Sequence, residues 1–145
     1  MKIALGCDHG GFDLKDDVIK HLESKGIKIL DLGTNSTESV DYPDFGKKVG
    51  LAVKNNKADL GITICGTGIG ISLAANKVKG IRAAVVSDTF SARMAMLHNN
   101  ANVLSFGARV VGKGLALDLI DAWLNAEFEG GRHQRRVSKI MEIEK

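Results

Sequence analysis

The chain has 145 residues, of which 44% are hydrophobic and 26% are charged, and its formal net charge is +3. This composition is typical of one globular domain, residues 1–145, with enough apolar side chains for a core, and it leaves no room for a second domain. The small positive charge and the 5% of aromatic residues argue against nucleic acid as a partner and favour a small anionic ligand.

No apolar segment approaches the length of a membrane span, and the N-terminal apolar run is too short for a signal peptide. We therefore expect a cytoplasmic protein with no membrane attachment. Two cysteines in such a protein argue against a structural disulfide, so Cys7 and Cys65 are expected to be free thiols.

Apolar runs alternate with amphipathic segments along the whole chain. Lys2–Cys7 predicts the first strand, and the polar turn Asp8-His9-Gly10-Gly11 follows it. The pattern predicts further strands at residues 27–32, 60–64, 81–86 and 102–106, helices at residues 12–25, 46–55, 89–97 and 113–126, another helix after the glycine turn near residue 68, and a last one beyond residue 130. Residues 33–45 are expected to form an irregular loop, in which Tyr42 is a candidate pocket wall.

This alternation predicts an α/β fold: a doubly wound, flavodoxin-like or Rossmann-like sheet of five parallel strands with a C-terminal helix. We expect the strand order 2-1-3-4-5, which puts the topological switch point between the first and third strands. Asp8 and His9, after the first strand, would then converge with Cys65, after the third, at one crevice.

The stretch from residue 60 to residue 75, LGITICGTGIGISLAA, combines the strongest chemical signals of the sequence. A buried strand delivers Cys65 to a turn in which Gly66, Gly68 and Gly70 leave backbone N–H groups accessible to an anionic oxygen at a helix N-terminus. The same environment favours the thiolate form of a cysteine. The glycine spacing differs from the dinucleotide fingerprint, and the lysine and hydroxyl residue of a P-loop are absent.

Other polar residues are expected at or near the same edge of the sheet. His98 and Asn99 precede the fifth strand, and Arg109 follows it. Each has an ordinary structural explanation, such as a helix end or a turn, and their shared location is what favours a site. Arg132 and Arg136 lie four residues apart on one face of the tail helix, where they would bind a phosphate or form a solvated basic surface.

Five separated motifs follow one another along the chain: GCDHGG, SVDYPDF, CGTGIG, HNNANVLSFGARVVG and GGRHQRRV. Together they resemble the ribose/galactose sugar-phosphate isomerase family, which includes ribose-5-phosphate isomerase B and the galactose-6-phosphate isomerase subunits. The resemblance extends over essentially the whole chain. It implies a metal-independent, cofactor-free aldose–ketose isomerase that interconverts ribose 5-phosphate and ribulose 5-phosphate by moving a proton between C1 and C2 through an enediolate.

The resemblance also assigns roles to residues of this sequence. Cys65 is expected to abstract the carbon-bound proton, and the amides of the glycine turn are expected to stabilise the enediolate oxygen. Thr67, in the same turn, is expected to hydrogen-bond the reacting hydroxyl groups. His98, helped by Asp8, is expected to open the sugar ring. The expected substrate-binding residues are Asp8, His9, Tyr42, Gly66, Thr67, Gly68, Ile69, Gly70 and Asn99, and the expected phosphate-binding residues are His9, Arg109, Arg132 and Arg136.

The resemblance further implies a homodimer, able to pair into a tetramer, with sites built across the subunit interface. His98, Asn99 and the arginines would then serve the Cys65 of the neighbouring subunit. Asn100 stands where the family usually has an aspartate, a departure that leaves the assignments of His98 and Asn99 intact.

Three other functions fit parts of the pattern. The first is isomerisation of six-carbon sugar phosphates, such as allose or galactose 6-phosphate, which depends on the depth of the pocket. The second is a non-catalytic module that binds a nucleotide or sugar phosphate, because doubly wound sheets host many functions. The third is a zinc site formed by Cys7, His9, Cys65 and His98, although no two of these have the spacing typical of such sites.

Overall fold

The computed structural model describes residues 1–145 and contains one sheet of five parallel strands with six helices. The strands are β1 (Lys2–Cys7), β2 (Lys28–Asp31), β3 (Leu60–Cys65), β4 (Ala83–Val85) and β5 (Val103–Gly107). The helices are α1 (Phe12–Ser24), α2 (Tyr42–Lys54), α3 (Ile69–Asn76), α4 (Thr89–Asn99), α5 (Lys113–Leu124) and α6 (Arg132–Glu142). The predicted α/β class, the five parallel strands and the C-terminal helix are confirmed. None of the helices has the length and apolar composition required to span a bilayer.

Helices cover both faces of the sheet, as expected for a doubly wound fold. On one face, α1, α4 and α5 pack on the sheet around Trp123, whose indole N–H donates to the carbonyl oxygen of Ala101 over 3.0 Å. On the other face, α2 and α3 form a smaller core around Val49, Ala75 and Val103. The last helix, α6, packs against α4. The central strands are therefore buried on both sides, which explains their nearly continuous apolar sequences.

The predicted strand order 2-1-3-4-5 is wrong in its last two positions, because the structure has the order β2-β1-β3-β5-β4. All residues of β5 are buried, whereas those of β4 are half-buried or exposed. The longer strand, β5, lies in the interior of the sheet beside β3, and the short strand, β4, forms the edge. The hydroxyl groups of Thr63 on β3 and Ser105 on β5 share a hydrogen bond. The switch point between β1 and β3 is unaffected by this exchange.

Two helices near the switch point differ from their predicted boundaries. α2 begins at Tyr42 rather than at residue 46, because Pro43 lies in its first turn, where a fixed φ and a missing N–H are favourable. The predicted loop therefore ends at residue 41. α4 continues to Asn99, so His98 lies in a helical turn rather than in a connection. The helix stops at Asn100, whose φ of +46° is a left-handed conformation that asparagine tolerates.

Candidate active site

The turn between β3 and α3 places the Cys65 thiol against backbone amides. The N–H of Gly68 donates a hydrogen bond to Cys65 Sγ over 3.0 Å, and the N–H of Ile69 donates to Thr67 Oγ1 over 3.2 Å. Gly68 is left-handed with a φ of +79°, and a Cβ there would lie 2.6 Å from the backbone of Phe106. Only glycine fits this position. The geometry of the turn therefore fixes the N–H group that donates to the sulfur. This donor and the N-terminus of α3 both present positive partial charge to Sγ.

The thiol lies at the wall of a cavity of about 430 Å³ at the carboxyl end of the sheet, which we call the Cys65 cavity. Its walls are formed by Asp8, Tyr42, Cys65, Gly66, Thr67, Ile69, Gly70, Leu73 and Arg109. All of them except Leu73 are predicted site residues, and Leu73 lies one helical turn after Ile69. Because Cys65 is only 4% exposed, a ligand in this cavity would meet a largely desolvated sulfur.

The turn after β1 brings a second ionisable group to the cavity. Asp8 is buried, and its Oδ1 accepts hydrogen bonds from the N–H groups of Gly10 and Gly11 over 2.9 Å and 3.2 Å. The two turns lie in contact, since a Cβ added to Gly10 would be 3.0 Å from the backbone nitrogen of Gly66. One carboxylate oxygen therefore fixes the side chain, and the other is free of protein hydrogen bonds.

The remaining walls come from α2 and from the turn after β5. A Cβ added to Gly70 would overlap the Tyr42 ring, so glycine at this position lets the phenol lie against the start of α3. The backbone N–H of Arg109 donates to the carbonyl oxygen of Gly66 over 3.0 Å. The Arg109 guanidinium lies near the same residue and supplies positive charge to the cavity.

His9 follows Asp8 in the sequence but is absent from the walls of the Cys65 cavity. Its Nδ1 accepts a hydrogen bond from the backbone N–H of Val40 over 3.1 Å. A neutral His9 ring therefore carries its proton on Nε2, which is available to donate to an anion. This bond also ties the segment before α2 to the turn after β1.

His98 belongs to a second group of side chains, which also contains Glu129 and His133 and which we call the histidine cluster. The rings of His98 and His133 are stacked, with centroids 4.1 Å apart and an interplanar angle of 7°. The Glu129 carboxylate lies 3.8 Å from His98 Nε2 and 3.5 Å from His133 Nε2. The sequence reasoning missed Glu129 and His133, although their separation by four residues and the position of His133 between the tail arginines were visible signals.

His133 is 6% exposed, and its Nε2 is buried without a hydrogen-bond partner. Burial lowers the pKa of His133, and the charges of protonated His98, of Arg132 and of Arg136 lower it further, while Glu129 acts in the opposite direction. The ring is therefore favoured in its neutral form. Both arginines lie close enough to His133 to influence its charge, which places the predicted phosphate-binding pair beside the histidine cluster.

Asn99 lines a separate cavity of about 460 Å³ beside β4, together with Arg82 and Ile140. The Arg82 guanidinium donates to the carbonyl oxygens of Asn99 and Asn100 over 3.2 Å and 3.1 Å. Within one chain, the predicted site residues are thus divided. The walls of the Cys65 cavity do not include His9, His98, Asn99, Arg132 and Arg136.

The structure does not bring together the four residues considered as zinc ligands, which are Cys7, His9, Cys65 and His98. The potential metal ligands that the structure brings within 4.8 Å of one another are His98, Glu129 and His133. Cys7 is a free thiol in the core, and burial raises its pKa to about 11. A thiol with so high a pKa is a poor metal ligand and a poor nucleophile near neutral pH.

The sequence matches the family model described as Ribose/Galactose Isomerase over residues 3–140. It is 54% identical over 143 residues to the ribose-5-phosphate isomerase B of Escherichia coli (strain K12), with 99% of this chain and 96% of that protein covered. The fold is similar to that of Clostridium thermocellum ribose-5-phosphate isomerase B, with a TM-score of 0.98, 59% identity, and 99% and 97% of the two chains covered. It is also similar to the crystal structure of ribose-5-phosphate isomerase B from Mycoplasma genitalium with bound ribulose-5-phosphate, with a TM-score of 0.94, 46% identity, and 99% and 95% covered. The family resemblance predicted from the five motifs is confirmed.

Proposed function

The chain belongs to the ribose/galactose isomerase family, and we propose that it interconverts ribose 5-phosphate and ribulose 5-phosphate by a metal-independent proton transfer between C1 and C2. Residues 1–145 would act as one isomerase domain. The observation that carries the proposal is the Cys65 thiol, which accepts the Gly68 N–H at the wall of the Cys65 cavity. Two relatives support the five-carbon substrate: one is named ribose-5-phosphate isomerase B, and another was crystallised with ribulose-5-phosphate.

Cys65 is the base in this proposal. Its thiolate takes the proton from C2 of the open-chain aldose, and negative charge develops on the C1 oxygen of the resulting enediolate. Return of the proton to C1, with transfer of the C2 hydroxyl proton to the C1 oxygen, gives the ketose. The substrate has no acyl group for the sulfur to attack, so basicity is the property that the reaction uses. Backbone N–H groups of the glycine turn and the Thr67 hydroxyl would stabilise the enediolate oxygens.

Ring opening and phosphate binding are assigned to other residues. His98 would open the sugar ring with help from Asp8, whose second carboxylate oxygen has no protein hydrogen bond, and Asn99 would bind sugar hydroxyl groups. His9 would donate from Nε2 to the phosphate, since its Nδ1 is occupied by the Val40 N–H. The guanidinium groups of Arg109, Arg132 and Arg136 suit a phosphate by charge and by their fork geometry.

The division of these residues between two places supports a homodimer with shared sites. Ile69 and Leu73 lie one turn apart on α3 at the Cys65 cavity, and they are 54% and 59% exposed. An apolar surface at the mouth of a polar cavity is typical of a surface that another subunit covers. We therefore propose that His98, Asn99 and the tail arginines of one subunit complete the Cys65 cavity of its partner.

The first experiment measures kcat/KM for ribose 5-phosphate in the presence of EDTA, with allose 6-phosphate and galactose 6-phosphate assayed under the same conditions. We expect turnover of the pentose phosphate with a higher kcat/KM than either hexose phosphate and no effect of the chelator. Turnover of a hexose phosphate alone would replace the proposed substrate, and loss of activity in EDTA would contradict the metal-independent mechanism. Absence of turnover with all three sugars would contradict the proposed function.

A further inference from the structure

The histidine cluster contains two residues, Glu129 and His133, for which the proposed reaction has not yet required a role. We propose that they are positioning residues, which hold the His98 ring in the orientation needed to open the sugar ring. This inference rests on the proposed function and deepens it. Neither residue needs to touch the substrate.

Stacking restricts the His98 side chain on one of its faces. His98 lies in the last turn of α4, and 38% of its side chain is exposed, so its ring would otherwise be free to change rotamer. The His133 ring lies parallel to it at 4.1 Å and is itself anchored in the interface between α6 and α4. A catalytic group that is held in one orientation avoids the entropic cost of finding it during the reaction.

Glu129 is fixed relative to His98 by the backbone. Its N–H donates to the carbonyl oxygen of Leu97 over 3.0 Å, so the segment between α5 and α6 is tied to α4 one residue before His98. Its carboxylate then lies 3.8 Å from His98 Nε2. A carboxylate at this distance attracts the ring while His98 carries a proton, so it holds the group that acts as proton acceptor in one orientation.

The chemistry of ring opening uses such a proton acceptor. The bond between C1 and the ring oxygen O4 breaks, the C1 hydroxyl gives up its proton, O4 takes up a proton, and the open-chain aldehyde results. No oxidant or other reactant is needed. His98 and Asp8 would exchange these two protons, one at the C1 hydroxyl and the other at O4. The orientation of the His98 ring therefore affects the rate of ring opening directly.

His133 acts in the cluster through its ring rather than through a hydrogen bond. Its Nε2 is buried without a hydrogen bond, which costs free energy that a leucine or phenylalanine would avoid. A neutral aromatic ring beneath His98 allows stacking without repulsion when His98 becomes protonated, and the adjacent Arg132 and Arg136 favour that neutral form.

The same three groups do not favour a metal ion. A metal binds an imidazole nitrogen in the plane of the ring, and two parallel stacked rings share no such point. The arginines beside His133 add positive charge, which opposes a cation further.

The test separates ring opening from the later steps. We would measure kcat/KM for ribose 5-phosphate, which enters as a ring, and the inhibition constant of an open-chain hydroxamate that mimics the enediolate. Glu129→Gln and His133→Ala are expected to lower kcat/KM by about 10- to 100-fold and to leave the inhibition constant within about twofold of wild type. His133→Phe retains the stacked ring and is expected to recover most of the activity lost in His133→Ala.

Two control variants test whether a substitution in this region lowers activity merely by disturbing the local structure. Glu127→Gln removes an exposed carboxylate from the same connecting segment, and Val137→Ala removes apolar contact from the next buried position of α6. Neither should change either constant by more than about twofold. Unchanged kcat/KM in both test variants, or equal weakening of turnover and hydroxamate binding, would overturn the inference. A wild-type protein without ribose 5-phosphate turnover would instead overturn the proposed function.

Discussion

The Cys65 cavity and the histidine cluster are built in different ways. In the cavity, the side chains of Asp8, Cys65 and Thr67 accept hydrogen bonds from backbone N–H groups within three residues of them. In the histidine cluster, residues from α4, from α6 and from the segment before α6 meet only because those elements pack together. Local backbone geometry therefore determines the proposed proton-transfer site, and tertiary packing determines the proposed ring-opening group.

The largest effect is expected from removing the sulfur. Cys65→Ala should lower kcat for ribose 5-phosphate by about 10³-fold or more, because it removes the base that takes the C2 proton. Binding of the open-chain hydroxamate should remain within about tenfold of wild type, because the turn amides and the phosphate ligands are unchanged.

Cys7 is the matched control, since it ends the neighbouring strand and is also a buried free thiol. Cys7→Ala should retain most of the activity, because burial in the core and a pKa of about 11 keep that sulfur out of the chemistry. Similar losses of kcat in the two variants would show that the cavity geometry, rather than the Cys65 thiolate, is what the reaction requires.

The second prediction concerns whether the Cys65 cavity of one subunit and the histidine cluster of the other act together across a subunit interface. Cys65→Ala and His98→Asn should each be nearly inactive alone. After subunit exchange between the two variants, a mixed dimer contains one site with both substitutions and one site with neither. Activity should then return to about a quarter of the wild-type value, because half of the dimers are mixed and each has one intact site.

The control for this experiment is a mixture of Cys65→Ala with Cys65→Ala that carries His98→Asn, in which no intact site can form. Recovery of activity in the first mixture but not in the control mixture would support sites that are shared between subunits. Failure to recover, with subunit exchange verified by mass spectrometry of tagged chains, would mean that Cys65 and His98 of one chain serve the same site or that they do not act together.

The comparison between the two regions also explains which features could be predicted from the sequence. The turn after β3 is encoded by adjacent residues, so Cys65 and its glycines were predicted from one continuous motif. Glu129 and His133 were missed because their contact with His98 depends on how α6 packs on α4, which no local pattern reports. The order of β4 and β5 was wrong for the same reason, since both are apolar and only packing decides which one becomes the edge.

The predicted start of α2 was wrong for a local reason. Pro43 was interpreted as part of a loop, whereas proline is also favourable in the first turn of a helix. The consequence for the site is concrete, because Tyr42 becomes the first residue of a helix and its ring is held against Gly70. A helical Tyr42 is a more rigid wall than a residue in an irregular loop.

The smallest expected effect concerns stability and is specific to the histidine cluster. Burial lowers the pKa of His133 below its value in the unfolded chain, about 6.5, and the charges of Arg132, Arg136 and protonated His98 lower it further. Between the two pKa values the unfolded chain binds a proton that the folded chain does not, so the free energy of unfolding decreases as the pH falls below about 6.5. His133→Phe cannot bind this proton and should lose less stability between about pH 7.5 and pH 5.5, as measured by urea unfolding.

Val137→Ala provides the comparison, because it weakens the packing of α6 without removing a titratable group. It should lower the free energy of unfolding by a similar amount at both pH values, so that its pH dependence follows that of wild type. If His133→Phe retained the full wild-type slope, the neutral stacked ring inferred for the histidine cluster would be contradicted.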